Sequence, residues 1–182
     1  MKNLVIILSL LILLFFSRIT QAQTLKLGFR IEPAMFMTEQ KNESTVSFTF
    51  ISGYLSLSLE PVEWIGLEAR PGYLVGGEYG GFEIGAFLRL RVLPSNFFII
   101  AGINHHSNDI LDSHNTGGNY QKQMLFQGVG IGYQKDSKLG IDLTYYWTND
   151  KVFAYSYNGS TKTDKLMSGI IKLGFSLAWN IL

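Results

Sequence analysis

At 182 residues and a formal net charge of +1, the chain has room for one domain behind an export signal. It carries no electrostatic bias towards nucleic acid or an acidic partner. The absence of cysteine excludes disulfides, thiolate metal sites and a lipidated cysteine anchor.

Residues 1–22 read as a signal peptide. Lys2 supplies the positive start, Leu4 to Phe16 form an apolar stretch of 13 residues, and Thr20 and Ala22 place small side chains before a cleavage point. The competing reading, a membrane anchor, needs roughly 20 apolar residues. The mature chain, residues 23–182, is expected to begin at Gln23.

From Thr24 onward the hydrophobic period is two rather than 3.6. Leu25, Leu27, Phe29 and Ile31 alternate with Lys26, Gly28, Arg30 and Glu32. Phe82, Ile84, Ala86, Leu88, Leu90 and Val92 alternate with Glu83, Gly85, Phe87, Arg89 and Arg91, and a similar run covers 171–179. One face is continuously apolar while the other mixes charge with glycine, the inside-polar, outside-apolar pattern of a membrane barrel. Eight such segments follow in order: 24–37, 45–60, 63–76, 80–93, 97–107, 119–134, 138–149 and 165–181. The second breaks phase near Gly53, which predicts a bulge.

The junctions alternate in length. Glu60–Glu63, Leu93–Asn96 and Lys135–Lys138 are tight turns, whereas 38–44, 108–118 and 150–164 are longer and more polar, with 77–79 short. Tight periplasmic turns and longer extracellular loops fit that alternation. The expected fold is therefore all-β: an eight-stranded antiparallel transmembrane barrel, up-and-down, in the bacterial outer membrane. Eight strands enclose room for side chains and no wide pore. The inward Lys26, Arg30, Glu32, Glu68, Arg70, Arg89, Arg91, Asp142 and Lys172 are expected to neutralise one another rather than line an ion path. Trp64, Phe97, Tyr133 and Trp179 fall near the turn side and Tyr73, Tyr145 and Trp147 near the loop side, as two aromatic girdles.

Several motifs are discounted. Gly128, Gly130 and Gly132 lie at period two inside a strand, where small inward residues make room for neighbouring Arg or Phe side chains. Asn158-Gly159-Ser160 is a chance match to a glycosylation acceptor, and the spacing of His105, His106 and His114 selects no metal.

One constellation carries chemistry. In Phe97–Asn108 the odd positions Phe97, Ile99, Ala101 and Ile103 form the lipid-facing side, and continuing that phase puts His105 and Ser107 on it. At about 3.3 Å per residue and a tilt near 40°, His105 comes near the outer-leaflet boundary. A serine needs a base, and the base a third group to hold its tautomer. His105, Ser107 and Asn119 supply these types on adjacent strands, and Asn108 is a candidate oxyanion donor.

Asn104-His105-His106-Ser107-Asn108, with Asn119 twelve residues after the serine, resembles the active-site hairpin of outer-membrane phospholipase A. It is also similar to the His-x-Ser-Asn hairpin of the lipid A 3-O-deacylases, in which the third member is Glu. The resemblance implies a serine esterase that cleaves acyl esters of lipid A or phospholipid at the outer leaflet. His105 would be the base, Ser107 the nucleophile and Asn119 the orienting residue. Membrane lipid, lipopolysaccharide or phospholipid, is the partner so implied. No cofactor is expected; calcium stays open, because the calcium-binding Arg and Ser of the phospholipases have no clear match here and their calcium dependence is not carried over. The last strand resembles the assembly signal of outer-membrane proteins at Lys172, Gly174, Leu177 and Trp179, which implies the barrel-assembly machinery as a second partner. The alternative function is a non-enzymatic barrel, structural or partner-binding, for which loop 150–164 with Phe153, Tyr155 and Tyr157 is the best feature. A narrow ion channel is the third.

Overall fold

The structure, a computed structural model, describes residues 24–76, 79–108, 122–136, 138–158 and 161–181. The expected signal peptide lies outside the described residues. In chain order the strands are β1 (Thr24–Ile31), β2 (Ala34–Gln40), β3 (Glu43–Thr49), β4 (Ser52–Val62), β5 (Ile65–Leu74) and β6 (Gly81–Arg91). They continue with β7 (Phe97–Asn108), β8 (Gln123–Gln134), β9 (Leu139–Trp147), β10 (Val152–Asn158) and β11 (Thr161–Asn180). All join one antiparallel sheet that closes where β11 pairs with β1 and β2.

Eleven strands make eight staves. The first stave is β1 continued by β2, and the second is β3 continued by β4. β5, β6, β7, β8, β9 and β11 supply the other six, and β10 lies against the upper part of β11. The first stave is interrupted because Pro33 has no N–H to donate; its carbonyl still accepts from Leu173 N at 3.0 Å. Beside it, Ile31 pairs with Gly53 and Ala34 with Thr49, so two residues oppose the three of Phe50 to Ser52. This is the expected bulge. Across it the outward set changes from Val46 and Phe48 to Leu55, Leu57 and Leu59.

Two segments expected as loops are strands. Within 38–44 the chain turns on Lys41 and Asn42, both at positive φ (50° and 65°), the conformation of a two-residue hairpin turn whose twist matches its strands. Within 150–164, β10 pairs with β11 from Val152↔Leu166 to Asn158↔Thr161. Polar composition concealed both hairpins, because above the membrane neither face of a strand has to be apolar.

The turn side is tighter. Asp136 Oδ1 accepts from the backbone N–H groups of Lys138 (2.7 Å) and Leu139 (2.8 Å). Those donors hold its carboxyl below the ordinary carboxylate value. This small contribution is present above the ordinary range and is lost as pH falls through the lowered value.

The stagger follows from the pairing. One hydrogen-bonded row runs Lys26, Ser58, Glu68, Phe87, Gly102, Gly128, Tyr146, Ile170 and Phe36. It returns to the first stave ten residues higher, at 36 instead of 26. For eight staves this requires a strand tilt of about 40°. The outer wall is apolar and exposed, with Phe29 at 58% and Ile131 at 64% exposure, bounded below by Trp64, Phe97, Tyr133 and Trp179. In water such a surface would be an aggregation liability; in a bilayer it is the lipid-facing band. The protein is an outer-membrane-type β-barrel.

Candidate functional site

The lumen is filled in layers. At the turn end Lys26 pairs with Glu60 at 2.8 Å. Above it three guanidiniums, of Arg30, Arg70 and Arg89, face three carboxylates, of Glu32, Glu68 and Asp142. Arg30 reaches Glu32 at 2.8 Å and Asp142 at 2.5 Å, and Arg70 holds Glu68 through two bonds of 3.0 and 3.1 Å. Arg89 lies 3.8 Å from Glu68 and stacks 4.0 Å over the Phe98 ring. Small residues make the space. A Cβ on Gly174 would lie 2.1 Å from Arg30 Nη2, and one on Gly132 would meet the Phe98 ring at 2.2 Å. The sequence reading of an internally neutralised interior agrees with this network, although Arg91 is only half-buried.

A second network centres on Glu83 and takes in Lys172, one of the inward charges expected from the sequence. Its carboxylate accepts from Lys172 Nζ and from Tyr54 Oη (2.7 Å) and lies 3.1 Å from His106 Nδ1. Tyr54 Oη accepts in turn from Lys172 at 3.0 Å. Glu83 and His106 are both fully buried. The signal was available, because Glu83 alternates with Phe82 and Ile84 in the phase of the other inward charges.

Over this network the lumen turns apolar. Phe36, Tyr79, Phe126 and Phe153 meet edge to face around Tyr79, whose ring stacks on His106 at 4.1 Å. Tyr79 Oη, His106 Nε2 and Asn108 Oδ1 are buried there without a hydrogen-bond partner among the described residues. Above lies a cavity of about 450 Å³ between the β2–β3 hairpin and the barrel mouth, lined by Phe36, Thr45, Ser47, Tyr79, Phe153 and Met167 among others.

This cap explains why alternation is hard to read on β8. Met124 and Phe126 are buried inward while Gln123 and Gln127 are exposed outward on either side of Leu125, so polarity no longer marks the face as it does lower down. At the mouth the interior wants apolar side chains to seal it, and the outside is reaching the headgroups.

On the outer wall, His105 and Ser107 are half-exposed and share the face of Ile99 and Ile103, while Asn104, His106 and Asn108 are buried inside. Across the ladder His105 faces Leu125 and Ser107 faces Gln123 on β8; on β6 they face Ile84 and Phe82. Asn119, like His114, lies outside the described residues. The expected oxyanion donor needs correcting. The Asn108 side chain points into the barrel, where Nδ2 donates to Phe153 O at 3.4 Å, and its backbone N–H donates to Lys122 O at 2.8 Å. It therefore lies on the opposite face of the strand from Ser107. No group of three or more metal-ligating side chains occurs among the described residues.

No protein-family model and no curated protein matches the chain. Among solved structures it is similar to Neisserial surface protein A, at 14% identity over 86% of this chain and 99% of that one, with a TM-score of 0.48. The N-terminal β-barrel domain of Pseudomonas aeruginosa OprF matches at 12% identity over 82% and 97%, TM-score 0.46. The attachment invasion locus protein Ail of Yersinia pestis, crystallised with the heparin analogue sucrose octasulfate, matches at 14% over 85% and 99%, TM-score 0.47. At these values the likeness is one of small barrels in general.

Proposed function

We propose that this protein is a non-enzymatic outer-membrane barrel that presents its loop-side hairpins to a partner outside the cell. The observation that carries this reading is the contrast between the two ends of the lumen. Below, ion pairs and aromatic rings fill it. Above, β2–β3 and β10–β11 rise past the barrel and flank a cavity open to the outside. A filled lumen suits a scaffold better than a conduit, so reconstitution into planar bilayers should give no steady open conductance.

The test of partner binding is purified protein in detergent micelles, applied to immobilised extracellular proteins and a glycan array. A variant with both hairpins cut back to tight turns is the control. Binding that disappears in the trimmed variant supports the reading. No signal above that variant on any surface removes it.

One observation favours a second reading, serine esterase chemistry on the outer wall. His105 and Ser107 are both outward and half-exposed on one strand, as a base and nucleophile acting on a membrane lipid would have to be. If this reading holds, micelles of phospholipid or lipopolysaccharide lose fatty acid in the presence of the wild type. Ser107→Ala and His105→Ala should then fall to background and Asn119→Ala should keep more activity. Equal release by wild type and Ser107→Ala removes the esterase.

A further inference from the structure

β3 is left with one free edge. It pairs with β2 alone and ends the sheet order, whereas β4, the lower part of the same stave, is paired on both sides. The cause lies on the neighbouring stave. β5 and β6 stop at the pair Leu74↔Gly81, and Tyr79 N donates to Gly76 O at 3.0 Å across a short turn. Leu74 stands opposite Ser52, so all of β3 rises above that pair with no described strand beside it. The hairpin geometry says which groups are free. With a two-residue turn at Lys41 and Asn42, Gln40 and Glu43 exchange both ladder bonds, and every second residue repeats this. Thr45 and Ser47 therefore turn their backbone groups to β2, in keeping with Thr45 O accepting from Thr38 Oγ1 at 3.4 Å. Ser44, Val46 and Phe48 turn theirs to the free edge.

Such an edge invites another strand unless charge, proline or a bulge guards it. From Ser44 to Thr49 there is none of these. Both faces also fit a strand laid there. Val46 and Phe48, 52% and 64% exposed, pair with Met37 and Met35 in an apolar strip beyond the Tyr73 girdle, where lipid no longer requires one. On the inner side Thr45 and Ser47 line the cavity over Phe36 and Tyr79, and Gly76 lines it from across the gap. A strand added to β3 would stand in that gap as the missing wall. Backbone hydrogen bonding, rather than charge, thus defines the occupant as an extended stretch of polypeptide. A second copy in the same membrane presents its β3 running in the same direction, so two like edges cannot meet as an antiparallel ladder.

We propose that β3 takes up an extended segment of an extracellular protein as a further antiparallel strand. The segment bonds to the backbone of Ser44, Val46 and Phe48 and seats an apolar side chain in the cavity over Phe36 and Tyr79. This rests on the partner-presenting reading above and names the edge and the chemistry of the partner: main chain and alternate apolar side chains, rather than glycan or lipid.

The probe is an array of heptapeptides that alternate threonine with valine, leucine or phenylalanine, exposed to the protein in detergent micelles. For the peptides bound best, N-methylation of alternate amides in one phase should weaken binding about tenfold. Methylation in the other phase should leave it unchanged, because only one set of amides faces the edge. Val46→Pro removes a donor from the free edge and none from the β2 ladder, and it should weaken binding to a similar extent. If that variant does not fold, the two methylation phases on the native protein still decide. Binding that is lost when both hairpins are trimmed, yet is indifferent to Val46→Pro and to the methylation phase, overturns the edge and leaves the partner reading standing. No peptide bound above the trimmed variant also overturns it, whatever the extracellular proteins and glycans show. Because the chain lacks cysteine, Ser44→Cys tests the other occupant. It should stay monomeric in vesicles under oxidant; a disulfide-linked pair would put a second copy on the edge and overturn the proposal.

Discussion

Glu83→Ala should lower the unfolding free energy by about 3–5 kcal/mol, the usual consequence of removing one partner from a buried ion pair. The carboxylate is fully buried and holds three groups at once, Lys172, Tyr54 and His106. Its removal leaves the Lys172 ammonium buried against the neutral Tyr54 hydroxyl and the Tyr54 and Tyr146 rings, and desolvation then outweighs the cavity left by the side chain. Glu83→Gln should lose less, because an amide oxygen still accepts. Adding Lys172→Met to it should recover part of the loss, since the uncompensated charge goes too. Urea titration in vesicles, read by tryptophan fluorescence and by gel mobility of unheated samples, gives the values. A loss below about 1 kcal/mol in Glu83→Ala would mean that water reaches this layer and that the ion pair is not what seals it.

The second large effect belongs to the outside. Leu143 projects outward on β9, 49% exposed, midway between the lower girdle at Tyr133 and the upper one at Trp147. Leu143→Arg places a guanidinium near the bilayer midplane and should cost about 2–4 kcal/mol. Leu139→Arg, four residues nearer the turn side on the same face, should cost about 0–1 kcal/mol, because the side chain can reach the headgroups. Equal costs at the two positions would show that the band is placed wrongly along the barrel.

Most of the barrel is legible in the sequence because lipid and lumen impose opposite demands on alternate residues. From Leu25 to Glu32, and from Phe82 to Val92, every residue except the lumen-facing Phe87 reports its face. Legibility fails where that opposition relaxes. At β3 both faces are exposed above the bulge, so the segment reads as loop, although Lys41-Asn42 carries the turn that makes it a hairpin. At the upper end of β8 Met124 and Phe126 face the interior while Gln123 and Gln127 stand outside on either side of Leu125, so period two survives while its usual meaning blurs. Glu83 could be placed by phase, but its three partners come from β4, β7 and β11, and no local spacing brings them together. The same limit applies to the outer wall. Outward placement of His105 and Ser107 follows from parity alone, whereas Gln123 opposite Ser107 follows only from the hairpin register.

β11 runs for 20 residues and is paired on both flanks, with β9 and β10 on one side and β1 and β2 on the other. The seam joins Lys26 to Asn180, strands at opposite ends of the described barrel. Every other pair of neighbouring staves is consecutive in the chain or separated only by β10, a far shorter loop to close. This one contact closes a loop that contains every other strand, and it gains nothing until both partners are present. The rate-limiting event of assembly is therefore expected to be zipping of the seam between the first and last staves. Weakening substitutions there should slow barrel formation more than equal ones in the β7–β8 hairpin, even where final stabilities match.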